Sequence, residues 1–339
     1  MSSIPCSIIG AGCMASTMAH SLSNSGHFSI KKIYDPNKEK AIFFAKEFQC
    51  EVSTSLDSAV TGTKCCYIAS PPAHHKNAFI IALQKGNHVL CEKPLALTSV
   101  QADEILAASQ TAASKGIVTG INFPMAFVSA ITTCKNLLHQ KYLAHLHKIE
   151  LKLHFPVWPR PCTGASQNSW LNNRHEGGVI REIVPHFIYG LLYILDKQLT
   201  IERVNTIISY PENKPKHSEQ KVHGLLELTD KTQVHLDILT NFSQDKESIT
   251  LEFFGTQGYL TIENFQFLKG RKNQEPLTLL DDSGVKNPEA FMESKHIVEA
   301  FKKAIDGEPN NLPSITEGHK VQKVIDAIHL SEGKWIQLC

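Results

Sequence analysis

The first third of the chain alternates short apolar runs with stretches of helical period. Ser7 to Gly10 reads as a buried strand ending in glycine, Ile30–Tyr34 as a second, Cys65–Ala69 as a third, His88–Cys91 as a fourth and Ile117–Ile121 as a fifth. Between them, Met14–Ser23, Lys38–Phe48, Lys76–Lys85 and Thr98–Lys115 predict helices. In Lys38–Phe48 the residues Ala41, Phe44, Ala45 and Phe48 fall on one face, and Gly86 and Gly116 close the last two helices. Strand–helix alternation of this kind implies an α/β fold: a doubly wound parallel sheet with helices on both faces.

Past residue 122 the pattern changes. Phe127–Leu138 predicts a helix, and Lys148–His154 alternates apolar and polar residues like a strand with one buried face. Pro156–Asn173 reads as loop, and Val179–Leu195 mainly as helix. Strand-like runs follow at Val204–Tyr210, Val222–Leu228, Gln233–Thr240, Ser248–Phe254 and Tyr259–Glu263, with Gly255 to Gly258 as a hairpin turn. Neighbouring strands of this sort suit an antiparallel sheet. His296–Ile305 and Glu317–Ser331 return to helix. The boundary falls at a strand-to-helix junction, giving domains 1–122 and 123–339.

Composition adds exclusions. A length of 339 residues fits two domains, and 42% hydrophobic with 20% charged residues is an ordinary globular balance. The net charge of +1 removes the usual argument for nucleic acid as partner. Phe187–Leu195, the longest strongly apolar stretch, falls far short of the roughly 20 residues that span a bilayer. No basic segment precedes an apolar core at the N-terminus, so no secretory signal is expected. Nine scattered cysteines without a C-x-x-C pair suit reduced thiols in the cytoplasm. The 17 histidines, His74, His75, His145, His147 and His154 among them, form no metal-ligand spacing, so no metal is expected.

The chemistry starts at Gly10-Ala11-Gly12-Cys13-Met14-Ala15, a G-x-G-x-x-A loop between the first strand and first helix. Gly10 permits the tight turn, Gly12 lets a diphosphate approach the backbone, and Ala15 lets helix and strand pack closely. The diphosphate would sit against the N–H groups at the positive end of the helix. Asp35, about 25 residues past Gly10, can accept from the ribose hydroxyls and would repel a 2′-phosphate, favouring NAD over NADP. Lys31, Lys32 and Lys38 stand near enough to blunt that preference.

Three further segments sharpen the reading: Ala69 to His75 after the third strand, Gly86 to Pro94 around the fourth, and Gly177 to His186 in the second half. With the glycine loop they resemble the Gfo/Idh/MocA family of nicotinamide-dependent oxidoreductases over nearly the whole chain. Glu92-Lys93-Pro94 is the more specific motif. The resemblance implies an N-terminal Rossmann domain and a C-terminal α/β domain with a large, mostly antiparallel sheet that serves substrate binding and oligomerisation. A homodimer or homotetramer through that sheet is the expected assembly. It implies oxidation of a sugar or cyclitol hydroxyl, or the reverse reduction. By that resemblance Lys93 is the catalytic lysine and His186 the general acid/base. Ser70, Pro71, Pro72 and His75 form the loop beneath the nicotinamide, and Glu92, Lys93 and Asn122 stand beside the cofactor. The chain departs from the family pattern at four positions. Glu182 replaces an aspartate, Val184 a glycine, Tyr189 a frequent aspartate, and Pro124 a common arginine or lysine.

Hydride transfer needs a positioned carbon, a proton acceptor and a positive neighbour for the developing alkoxide. His186 suits the proton, because imidazole titrates near neutrality. Lys93 suits the oxygen, and Glu182 would orient one of them. Pro185 fits the first turn of a helix but not its interior, so a helix beginning near Val184 would leave Glu182 in the preceding turn. Trp170, Asn172, Arg174 and Tyr189 are candidate substrate contacts, Arg174 toward an acidic group. A cofactor-binding sensor without turnover would carry the same loop, as would a reductase of an imine or open-chain keto compound. Retention of Lys93 and His186 favours turnover over the sensor.

Overall fold

The computed structural model describes residues 3–160, 170–196, 199–243, 246–283 and 294–338. Much of the expected loop between Pro156 and Asn173 lies outside them. By proximity the chain forms two compact units: residues up to Pro124 with a returning stretch that ends at Gln322, and the stretch from Met125 with the residues from Lys323 onward.

In the first unit six parallel strands, β1 (Ile4–Ile9), β2 (Phe28–Tyr34), β3 (Glu51–Val52), β4 (Cys65–Ile68), β5 (His88–Cys91) and β6 (Thr119–Ile121), lie in the order β3-β2-β1-β4-β5-β6. This is the doubly wound order, and its switch point falls between β1 and β4, where such sheets bind ligands outside the strands' carboxyl ends. Helices α1 (Cys13–Asn24), α2 (Lys38–Phe48), α3 (Leu56–Val60), α4 (His75–Gln84) and α5 (Ser99–Ala113) connect the strands. Local chemistry starts several of them: Asn37 caps α2 at Lys40 N–H, Thr98 caps α5 at Gln101 N–H, and Ser55 with Ser58 forms a capping box on α3. The central strands are apolar and buried, with Ile8, Ile33, Ile68 and Val89 fully enclosed, as a sheet covered on both faces requires.

The second unit opens with α6 (Ser129–His139) and β7 (Leu146–Phe155). Helices α7 (Val179–Glu182) and α8 (Val184–Leu195) follow, then β8 (Ile201–Ser209), β9 (Lys221–Leu228), β10 (Gln233–Thr240), β11 (Ser248–Gly255), β12 (Gly258–Glu263), β13 (Phe267–Lys272) and β14 (Thr278–Asp281). With β15 (Ile336–Gln337) these make a nine-stranded sheet in the order β14-β13-β12-β11-β7-β10-β9-β8-β15. Every neighbour pair is antiparallel except β7–β10. The period-two pattern sets the buried face: Ile149, Leu151 and Leu153 of β7 point the same way as Val234, Leu236 and Ile238 of β10 and Leu251 and Phe253 of β11. Burying each of these side chains contributes about 1.5–3 kcal/mol. Helix α6 packs on α8 and across β12–β14.

A returning segment of the chain packs with the first unit. Helix α9 (Lys295–Ile305) lies on α1, with Phe301 stacked on Phe28 at 5.9 Å, and Ile121 N–H donates to the Pro313 carbonyl at 3.0 Å. Buried Ile297, Val298 and Phe301 form the apolar face that holds α9 there. The last helix, α10 (Ile315–Leu330), carries residues of both units. Among the described residues no helix is long and apolar enough to cross a membrane, and no group of His, Cys, Asp and Glu is arranged to hold a metal.

Candidate active site

Gly10 leaves β1 with φ +97°, and a Cβ there would stand 2.7 Å from the Ala69 carbonyl oxygen and 2.8 Å from Ser70 N. The loops after β1 and β4 therefore touch backbone to backbone at the switch point, and only glycine fits. Gly12, in contrast, is exposed, and a Cβ added to it would meet no protein atom within 4 Å. It begins α1, whose first turn has no side-chain cap and no acidic residue. Unclaimed N–H groups at a positive helix end, beside an open glycine, are what a diphosphate needs. Cys13 is exposed, Met14 half-buried, and Ala15 fully buried against the sheet.

Asp35 ties this loop to the end of β2. Ala11 N–H donates to its Oδ2 at 2.8 Å and Asn37 N–H to its Oδ1 at 2.7 Å. Each oxygen keeps a further lone-pair direction, so the half-buried carboxylate can still take ribose hydroxyls. The Lys32 ammonium donates to the carbonyls of Ser58 at 3.0 Å and Thr61 at 2.9 Å. Lys31 and Lys38 are exposed.

The loops after β4 and β5 complete the cradle. Pro72 opens a short 3-10 turn, Pro71 precedes it, and the buried Ser70 Oγ has no hydrogen-bond partner among the described residues. His75 is fully buried, with Nδ1 at 2.9 Å from the Pro94 carbonyl and Nε2 at 2.7 Å from the Ser70 carbonyl. Both ring nitrogens thus face backbone carbonyls of the two loops that build the cradle. Glu92, 5% exposed, accepts from Tyr67 Oη and from Asn122 Nδ2 at 2.7 Å, and its Oε2 accepts Lys93 N–H at 3.2 Å. Burial and the Glu92 carboxylate push the Tyr67 phenol well above its ordinary range, so it stays a donor. The buried Asn122 Oδ1 has no hydrogen-bond partner among the described residues. Lys93 follows β5, half-buried, across a cis bond to Pro94. Open glycine, uncapped helix and two orphaned polar oxygens fit a dinucleotide.

In the second unit Pro185 sits in the first turn of α8, and Ile183 separates that helix from α7. Glu182 accordingly lies in the preceding turn, buried, its N–H on the Gly178 carbonyl at 2.9 Å. His186 is half-buried in the first turn of α8, with its N–H on the Ile183 carbonyl at 3.1 Å. Tyr189, one turn on, is 4% exposed and packs on Tyr193.

Two of the expected substrate contacts also have partners within the protein. Asn172 is buried, its Nδ2 against His217 Nδ1 at 3.0 Å and its Oδ1 accepting Ser218 Oγ at 3.1 Å, so its amide holds the loop. Arg174 lays its guanidinium 3.6 Å from the Tyr210 ring centroid. It borders a cavity of about 350 Å³ also lined by Ile207, Ile208, His329 and Glu332. The Arg181 and Arg174 cations and burial push the His329 imidazole down to about 3, burial foremost, so it is neutral at physiological pH. Trp170 is half-buried, its carbonyl accepting Asn173 N–H at 2.9 Å.

No motif or spacing marks Tyr67, hidden in an apolar strand, or Glu219. Glu219 is 1% exposed and accepts Ile180 N–H at 2.6 Å, capping α7 just before Glu182. Its carboxylate fills the space that a Gly178 side chain would need: a Cβ there would lie 2.1 Å from Oε2. Burial pushes this carboxyl above its ordinary range, opposed by the Ile180 N–H and Arg181. A raised folded-state value means proton uptake on folding, so this group favours the folded state in acid and less as pH rises past that value. Glu219→Ala should cost about 1–3 kcal/mol in denaturant melts by stranding a buried N–H, and Glu219→Gln distinctly less, since its amide oxygen can still accept. Equal losses in the two variants would remove the capping role.

Comparison with known proteins agrees with this architecture. Residues 4–123 match the model of an oxidoreductase family with NAD-binding Rossmann fold, and residues 135–338 match that family's C-terminal alpha/beta domain. The chain is 26% identical over 243 residues to glucose-6-phosphate 3-dehydrogenase of Bacillus subtilis, a match covering 69% of this chain and 66% of that relative. Levoglucosan dehydrogenase in complex with NADH and L-sorbose superposes with a TM-score of 0.83 at 20% identity over 100% of both chains. An inositol dehydrogenase homolog from Azotobacter vinelandii, complexed with NAD+, gives a TM-score of 0.85 at 14% identity, over 99% of this chain and 97% of that one. At these identities the two structures establish the fold alone.

Proposed function

Because the chain belongs to the Gfo/Idh/MocA oxidoreductase family, we propose that it interconverts a hydroxyl and a carbonyl on a sugar, cyclitol or related polyol, with NAD favoured over NADP. The observation that carries this reading is the crevice between β1 and β4. There the uncapped α1, the backbone contact at Gly10 and the Asp35 carboxylate form one cradle, with Lys93 on the loop after the next strand. The name of its relative, a dehydrogenase of a sugar phosphate, supports the substrate class.

When bound, the nicotinamide supplies the hydride acceptor or donor. The residues do the rest. Lys93 holds the substrate oxygen and offsets its charge as an alkoxide develops. His186 takes the hydroxyl proton in oxidation and returns it in reduction. Glu182, fixed one turn before it by the α7 cap, orients this group. Asp35 selects the dinucleotide through the ribose hydroxyls.

The test is NADH and NADPH formation across a panel of sugars, sugar phosphates and cyclitols, with fluorescence titration of both reduced cofactors. Turnover with at least one polyol, and tighter NADH than NADPH binding, is the expected result. Tight NADH binding without turnover on any of them would replace the enzyme by a sensor. Tighter NADPH binding would remove the selecting role of Asp35.

A further inference from the structure

His75 is the group whose chemistry the reaction leaves unexplained, and its service to the cofactor rests on the dinucleotide reading above. The ring is fully buried between two backbone carbonyls, Pro94 O at 2.9 Å from Nδ1 and Ser70 O at 2.7 Å from Nε2. A carbonyl oxygen only accepts, and a neutral imidazole carries one N–H. In either neutral tautomer, one ring lone pair would face a carbonyl lone pair at less than 3 Å, away from solvent. Flipping the ring swaps nitrogens for carbons and loses both bonds. Two acceptors require two donors.

We infer that His75 is a buried imidazolium whose two N–H bonds clamp the loop after β4 to the turn that carries Lys93. One end of the clamp is Ser70, whose backbone abuts Gly10. The other is Pro94, next to Lys93. The strands that bear the two loops are neighbours, with Ile68 paired to Cys91. The clamp thus sets the catalytic lysine's backbone against the dinucleotide loop, and His75 is a positioning residue. The titratable and charged groups on the elements around it are His74 and Lys76 on its own segment, Cys65, Cys66 and Tyr67 on β4, His88 and Cys91 on β5, Glu92 and Lys93 after it, and Asp103 and Glu104 on α5. Lys76 pairs with Glu104 at 3.1 Å. Glu92, two residues from Pro94, is the buried carboxylate among them.

The deciding experiment is a long-range proton–nitrogen spectrum of the full chain labelled at histidine nitrogens, with His75 assigned by its loss in His75→Gln. Two protonated ring nitrogens at neutral pH are expected. One pyridine-type nitrogen there overturns the inference without reference to activity. The positioning role has its own readouts. Folded His75→Phe, which fills the space but donates nothing, should weaken NADH binding on the order of tenfold, about what one lost hydrogen bond is worth, and lower kcat as well. Wild-type NADH affinity should fall at the alkaline pH where the imidazolium loses its proton, and His75→Gln should lack that limb. Unchanged NADH affinity and kcat in His75→Phe would overturn the clamp. A wild-type chain that binds neither NADH nor NADPH would overturn the proposed function and the service to cofactor, while the nitrogen spectrum still decides the charge.

Discussion

Lys93→Ala and His186→Ala are each expected to lower kcat by roughly two to four orders of magnitude, the usual worth of a positioned acid/base or of a charge that stabilises an alkoxide. The two should differ in what else they change. His186 belongs to the second unit, on the first turn of α8, so its loss should leave NADH affinity within about threefold of wild type, below the roughly 1.4 kcal/mol of a tenfold change. Lys93 belongs to the cofactor cradle, anchored through its own N–H to Glu92, so its loss should also raise the KM of substrate and shift NADH binding modestly. Glu182→Gln keeps the side chain's size and its place before Ile183 and removes only the charge. Its kcat should fall by less than that of either alanine variant, about 10- to 100-fold if the carboxylate orients an imidazolium in the transition state. Steady-state kinetics on the best substrate of the panel decide these ranks. A His186→Ala enzyme with unchanged kcat would remove the histidine from the chemistry.

Much of this architecture could be read from period alone. β10 runs over Gln233–Thr240 as the apolar–polar alternation sets it, and Pro185 marks the start of α8 at Val184, which puts Glu182 in the preceding turn. The elements that escaped are those that period cannot show. β3 has two residues and α3 five, too few for a repeat. β13 reads Phe-Leu-Lys-Gly-Arg-Lys and β14 lies at the sheet edge with Leu279 and Leu280 exposed, so neither alternates. The site divides in the same way. Gly10, Gly12 and Asp35 announce themselves because backbone geometry and spacing dictate those residue types. The partners that His75 and Asn172 have within the protein were not legible, because Pro94 O and Ser218 Oγ lie 19 and 46 residues away. Glu219 escaped for the same reason, reaching Ile180 across 39 residues.

The glycine loop offers the sharpest separation of folding from binding. Gly10→Ala puts a methyl group 2.7 Å from Ala69 O and 2.8 Å from both Ala69 C and Ser70 N, at a φ of +97° that an L side chain rarely adopts. All three atoms are backbone, so no side chain can swing aside, and either the loop after β1 or the loop after β4 must move. Strain and overpacking together should cost on the order of 2–5 kcal/mol in denaturant melts. Whatever folded protein remains should bind NADH at least about 100-fold more weakly, because the shift carries Gly12 and the start of α1 off the diphosphate path. Gly12→Ala is the contrasting case. Its φ of −86° is open to any residue, and the added methyl meets no protein atom within 4 Å. Its stability should stay within about 0.5 kcal/mol of wild type, as for a surface substitution. Yet NADH affinity should fall about as far as in Gly10→Ala, since the methyl group occupies the space through which the diphosphate reaches the N–H groups of α1. Loss of stability without loss of binding at Gly12 would mean that this loop is a structural turn. Binding lost at unchanged stability requires the methyl group to meet a ligand that approaches from outside the protein.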